Sequence, residues 1–260
     1  RSLSMLKHHF ALPVALPVAL IVATALSACS PEPEVDNDGD LAAENEEAEI
    51  ARQSLNAGDF ADLQLGAKIV GPQGEEVKGR LTNETGAFAD ITSFVACPAG
   101  MEECDPATAP EGTVYTYVHT VYPGEDNDPT TGSGDGNDAS NVETTEAFRM
   151  TMPSHGFTGN AGFSFAEAAN AIGANMMIVA TCHEQGIAWT VEEGDGGDQW
   201  GQGEPITFYW QSTLPPAGPS DAYEVFANYT AAGGPGPYPA ASDTVSNACA
   251  NSAQTNAVGG

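Results

Sequence analysis

From Asp62 onward the chain is cut into short stretches rich in Val, Ile, Thr, Phe and Tyr, each closed by Gly, Pro, Asn or Asp, and this punctuation constrains the fold more than any other feature. Runs of about four to eight β-branched and aromatic residues between turn formers are too short for most helices and suit strands. The expected strands are Leu63 to Val70, Glu76 to Leu81, Ala87 to Ala96, Thr113 to Val121, Ala147 to Met152, Met176 to Thr181, Gly186 to Val191, Ile206 to Ser212 and Tyr223 to Tyr229. No alternation of such strands with long helices is visible, which argues against an α/β enzyme.

Many short strands with regular turn signals predict a mainly β domain over residues 61–232, an antiparallel β-sandwich of immunoglobulin-like or jelly-roll-like type. One helix interrupts the pattern, "FSFAEAANAIG" from Phe163 to Gly173. Ser164 followed by Glu167 forms a capping box, Phe165, Ala168, Ala169 and Ile172 share one face, and Gly173 supplies the stop. Residues 233–260, small, polar and rich in Pro and Gly, read as a tail.

The N-terminal part is built differently. After Met5-Leu6-Lys7-His8-His9 an apolar run extends from Phe10 to Leu26, broken only by Pro13, Pro17 and Thr24. A basic lead, an apolar middle and small residues before a cut site make a secretory signal. Two prolines in so short a run argue against a spanning helix. Leu26-Ser27-Ala28-Cys29 resembles the lipobox of bacterial lipoproteins. That resemblance implies diacylation of the Cys29 thiol, cleavage before it, and a mature protein anchored to the membrane at residue 29. Ser30, rather than Asp, resembles lipoproteins sent on to the outer membrane. Residues 1–28, including Arg1 to Ser4 ahead of Met5, are therefore set aside from the fold as a signal peptide. Residues 29–60, with the acidic stretch Ser30 to Gln53, read as a lipidated, disordered tether.

The chain carries 36 Asp plus Glu against seven Lys plus Arg, a formal net charge of -29. Such a surface repels phosphate backbones, which excludes nucleic acid as the expected partner. In an exported protein the four cysteines left after Cys29 are expected to form disulfides. Three pairings are open; Cys97 with Cys104 and Cys182 with Cys249 is favoured, because "CPAGMEEC" suits a tight loop and the second bond ties the tail to the body. Zinc is the competing use, but the spacings fit no zinc site and no C-x-x-C pair occurs.

Two loops hold the candidate binding residues. Asp126, Asp128, Asp135, Asn137 and Asp138 cluster in "GEDNDPTTGSGDGNDASNVE", which reads as a flexible acidic hairpin loop or, since oxygen-rich clusters suit calcium, as a calcium site. The EF-hand pattern fails there, because Ala139 and Ser140 replace a ligand and the turn Gly. In "EEGDGGDQWGQGEP" Trp200 is placed to stack on a sugar, with Asp195, Asp198 and Gln202 as polar companions, or to fold inward and anchor its loop. Glu192 and Glu204 are the carboxylates available for glycoside hydrolysis, a chemistry decided by their separation. "GFSFA" approximates a G-x-S-x-G nucleophile elbow, but the residues before it are polar and glycine-rich, and only His183 lies downstream. His119 and His155 read as structural. "GPQGEEVKG" lacks the end of a phosphate loop and reads as a hairpin.

No catalytic set assembles from these residues. The leading expectation is a lipid-anchored, non-enzymatic cell-envelope protein whose acidic sandwich serves adhesion, assembly or ligand binding, with a glycan or a cell-surface protein as partner. The alternatives are a carbohydrate-binding module or hydrolase using the Trp200 loop, and calcium-dependent surface assembly.

Overall fold

The computed structural model describes residues 53–69, 76–124, 142–183, 185–195, 198–242 and 247–249. The expected anchor at Cys29, most of the expected tether and the candidate calcium residues at 126–138 lie outside them. The described residues are mainly β, with one α-helix, and the sandwich expected from the strand pattern is what they form.

The strands are β1 (Gln53–Ser54), β2 (Gly58–Asp59), β3 (Leu65–Lys68), β4 (Val77–Asn83), β5 (Gly86–Pro98), β6 (Tyr115–Pro123), β7 (Thr145–Met150), β8 (Phe157–Phe163), β9 (Met177–His183), β10 (Gly186–Glu193), β11 (Ile206–Ser212), β12 (Pro216–Ala227) and β13 (Thr230–Pro239). They follow one another in a single hydrogen-bonded order, β1-β9-β10-β7-β12-β13-β4-β5-β6-β11-β8-β2, with β3 also paired to β5. Pairing is antiparallel except between β2 and β8.

This sheet doubles over on itself. β13 meets β4 in register only at Gly233↔Thr82, and on either side of that corner the inward residues face each other. Phe148 of β7 lies 5.1 Å from Phe208 of β11, Trp189 of β10 lies 5.5 Å from Phe208, and His119 of β6 lies 4.2 Å from Tyr223 of β12, ring centre to ring centre. Tyr117 stacks on Trp210 at 4.4 Å within the second leaf. The core is thus an aromatic layer between two leaves, and packing of wide rings across about 10 Å is what holds them together.

The open side of the sandwich is strapped by the segment that the sequence assigns to the end of the tether. Gln53 and Ser54 pair with Cys182 and Thr181 of β9, and the Leu55 N–H donates to the Ala180 carbonyl at 2.8 Å. Gly58 and Asp59 pair with Gly162 and Phe163 of β8 in the other leaf. The residues between them, at about 3.3 Å each when extended, span the gap between sheets. Crossing there needs glycine: a Cβ on Gly162 would stand 2.0 Å from the Gly58 carbonyl oxygen. That requirement explains why β8, "FTGNAGF", looks unlike a strand in sequence.

β13 corrects the reading of residues 233 onward as tail. Pro235, Pro237 and Pro239 alternate, so their missing N–H groups fall on one edge of the strand. The other edge is left to pair with β12 from Ala227↔Thr230 to Pro216↔Pro239. Further on, the Ala248 N–H donates to the Phe157 carbonyl at 3.1 Å. Cys249 joins Cys182 with Cα atoms 5.5 Å apart, and Cys97 joins Cys104 at 5.6 Å. Both favoured pairings are present.

The helix α1 is Phe165–Ile172. Ser164 caps it, its Oγ accepting the Glu167 N–H, and Gly173 ends it at φ 92°. The reciprocal half of the capping box is replaced: Glu167 Oε2 accepts the Thr207 N–H of β11 at 2.7 Å, which docks the helix on the sheet. Its buried residues are Ala168, Ala171 and Ile172, while Phe165, expected on the inner face, is exposed.

Candidate functional site

Two chain irregularities meet at one end of the first leaf. Along β7 the ladder to β12 runs Phe148↔Val225 and Phe226↔Ala147, then skips to Ala227↔Thr145, so Glu146 is a bulge with no partner on β12. On the other edge, β10 pairs with β7 only as far as Thr190↔Ala147 and then bulges between Val191 and Glu193. The chain leaves the sheet there and returns as a bridge at Thr145↔Trp200, the Thr145 N–H donating to the Trp200 carbonyl at 2.8 Å. Bulges re-aim side chains and break pairing. Here they open a cleft of about 530 Å³ lined by Thr144, Thr145, Glu146, Val191, Glu192, Gly194, Asp198, Gln199 and Trp200.

The chemistry of that cleft centres on Glu146. Both of its carboxylate oxygens are shut from solvent, and the backbone N–H groups of Glu146 itself and of Tyr229 approach them without reaching full hydrogen-bond geometry. Burial raises its pKa above the usual carboxylate value, and the backbone N–H groups of Glu146 itself and of Tyr229 pull it partly back. Tyr229 belongs to the two-residue turn joining β12 and β13. Asn228 and Tyr229 have φ of 48° and 62°, the left-handed pair that such hairpins need. The turn is tied to the cleft wall: the Asn228 N–H donates to the Thr144 carbonyl at 2.9 Å, and its Oδ1 accepts the Glu143 and Thr144 N–H groups.

The residues singled out in sequence are dispersed. Trp200 is 0 % exposed, packs 5.6 Å from Phe208 and donates its indole N–H to the Glu204 carbonyl, so it anchors its loop and has no ring face open to a sugar. Asp195 turns toward the end of the helix, where Asn175 donates side-chain and backbone N–H groups to it and holds its carboxyl below the usual range. Asp198 lines the cleft, and its Oδ1 accepts the Gln199 N–H at 3.2 Å. Gln202 lies against Gly124 at the end of β6. Glu192 lines the large cleft, whereas Glu204 lines a smaller one of about 240 Å³ with Glu167, so the two carboxylates considered for glycoside hydrolysis do not share a cavity. In that smaller cavity both carboxylates are occupied, Glu167 by the Thr207 N–H and Glu204 by the Gly201 N–H at 2.8 Å.

Ser164 does follow a strand, contrary to the sequence reading of the residues before it, but it has ordinary extended backbone (φ -76°, ψ 108°) and its oxygen is engaged as a cap. His183 Nδ1 accepts the Gln185 N–H at 3.1 Å. His119 is buried in the aromatic core with Nδ1 2.9 Å from Ser93 Oγ. Among the described residues no group of three or more His, Cys, Asp or Glu is arranged to hold a metal ion, and no helix is long and apolar enough to cross a membrane.

Neither Glu146 nor Tyr229, which reads in sequence as the end of the expected strand Tyr223 to Tyr229, stands out there as a binding residue. The turn carried a signal, Asn228 at the first position of a short connection between β-prone runs; the bulge at Glu146 carried none. Comparison with protein families, with characterised proteins and with solved structures finds no match to this chain.

Proposed function

We propose that the chain is a lipid-anchored protein of the bacterial cell envelope, held at the outer membrane through an acylated Cys29, and that its acidic β-sandwich works by binding a ligand at the Glu146 cleft rather than by turning one over. The observation that carries this reading is the pairing of Cys97 with Cys104 and Cys182 with Cys249. Structural disulfides belong to oxidising compartments, which is where a lipobox-type leader delivers its cargo. Pairing of those four sulfurs leaves Cys29 as the one cysteine of five for modification. Each buried methylene of an acyl chain adds about 0.8 kcal/mol of membrane affinity, so several chains on one thiol hold the domain durably while it stays in water.

The binding half of the proposal rests on the contrast between the two cavities. Glu167 and Glu204 each give one oxygen to a backbone amide, whereas the oxygens of Glu146 are shut from solvent and meet no donor at full hydrogen-bond geometry. An unpaired buried carboxylate costs stability, and a ligand that satisfies it recovers that cost. The test is fractionation of a Gram-negative host expressing the wild type or Cys29→Ser. The wild type is expected in the membrane pellet, labelled by an alkyne-tagged fatty acid, and the variant is expected unlabelled with its leader retained. Equal fractionation with no label in either would overturn the anchor.

A further inference from the structure

We propose that the Glu146 cleft is a binding site for a protonated amine, the ammonium head of a small organic cation or of a lysine side chain. The inference deepens the reading of the domain as a binding module and rests on that reading, though not on the anchor.

Four Lys and Arg are among the described residues, and every one is placed against a carboxylate elsewhere: Lys68 and Lys78 on Glu76 at 3.8 and 3.9 Å, Arg80 on Asp90 at 3.6 Å, and Arg149 on Glu224. None of the four lines the cleft, which nevertheless presents Glu146, Glu192 and Asp198. In a chain of net charge -29, long-range attraction concentrates cations at such a cleft.

Thr145 lines the cleft, is 1 % exposed, and its Oγ1 makes no hydrogen bond; the two solvent-shut oxygens of Glu146 are approached by the Glu146 and Tyr229 N–H groups but reach full hydrogen-bond geometry with neither. Native proteins leave few such atoms unsatisfied. All three can accept, and an ammonium brings three donors and no acceptor.

Size and surroundings then separate an amine from a metal ion. Calcium needs about six to eight oxygens at about 2.3–2.6 Å, and the described carboxylates do not gather in that way. A volume of about 530 Å³ suits a small organic molecule. Tyr229, whose backbone N–H faces the Glu146 carboxylate, is 85 % exposed and at positive φ. A bulky residue there is strained where glycine would not be. An exposed aromatic ring on a residue whose backbone reaches Glu146 is also a group that attracts an organic cation. Strain retained at a loop tip points to a use for the side chain.

The experiment is calorimetric titration of the mature full-length protein in nonionic detergent micelles. The probes are 1,5-diaminopentane as a free amine, a short lysine-containing peptide as a polypeptide source, 1,5-pentanediol as the neutral analogue, and calcium chloride. Saturable binding of either amine, with none of the diol, is expected, and the tighter of the two identifies the source. Glu146→Gln should weaken it by about tenfold or more, whereas Glu103→Gln, which removes the same charge from the distant Cys97–Cys104 loop, should leave it unchanged. Tyr229→Gly should weaken binding while raising the melting temperature, a pairing that a purely structural residue does not give. No amine binding by the wild type, equal weakening by Glu103→Gln, or tighter binding of calcium than of the amines would overturn the proposal. None of these outcomes touches the fractionation result, so a failed ligand and a failed anchor are told apart.

Discussion

Replacing His119 by Gln should change how stability responds to acid more than it changes stability itself. The imidazole is 0 % exposed between the leaves, with Tyr223 and Phe148 against its ring and Ser93 on Nδ1, and its Nε2 makes no hydrogen bond. Burial therefore lowers its pKa from 6.5 to about 3. A pKa lower in the folded than in the unfolded chain means that the unfolded chain takes up the proton first. The contribution of neutral His119 is whole above pH 6.5 and is lost progressively as the pH falls toward 3. At one pKa unit per 1.36 kcal/mol, moving from pH 7.5 to 5 costs the wild type about 2 kcal/mol through this residue. Glu146, whose pKa is raised, works in the opposite direction and gains stability on acidification. So does relief of the repulsion among 36 acidic residues. The variant keeps both effects, so they cancel in the comparison. Urea unfolding followed by circular dichroism at pH 7.5, 6 and 5 gives the required free energies. Glutamine can keep a hydrogen bond to Ser93, and the variant should be the less stable protein at pH 7.5. The gap should then close by about 2 kcal/mol at pH 5. A gap that stays constant across the three pH values would refute the claim that the imidazole is held neutral by burial.

Three other perturbations probe how the sandwich is closed. Gly162→Ala drives a methyl into the Gly58 carbonyl and should release the strap, seen as faster amide exchange at Gly58 and Asp59 while β5 and β6 stay protected. Cys249→Ser opens a loop of sequence separation 67, against 7 for Cys97–Cys104, and in the chain-entropy model should cost about 4 kcal/mol, compared with about 2 for Cys104→Ser, in matched denaturant titrations. Ser164→Ala removes the cap of the helix and should lower stability by about 1 kcal/mol, whereas Ser164→Asp should hold it.

The strands with dense β-branched and aromatic content were legible because burial on both sides of the doubled sheet demands that composition. Tyr115–Pro123, flanked by β5 and β11, is the clearest case. Two strands were hidden by the needs of close contact instead. Phe157–Phe163 must carry Gly162 where the strap crosses, and Thr230–Pro239 tolerates alternate prolines because one edge supplies its pairing. The register slip that sets Glu146 at the cleft is a property of three strands together, β7 with β10 and β12, and no residue near position 146 announces it. Trp200 was legible as an inward anchor. Large indoles in loops gain more from burial than from exposure, and here the buried ring, with its N–H on the Glu204 carbonyl, lets the acidic, glycine-rich loop return to β7.

Intact-mass measurement of the protein extracted from its native membrane tests the account most directly. The account predicts a chain that begins at Cys29, is heavier by a diacylglyceryl-type group on that thiol, and has its other four cysteines closed to alkylation until a reductant is added. An unmodified Cys29, a leader still attached, or free thiols at Cys182 and Cys249 would contradict it.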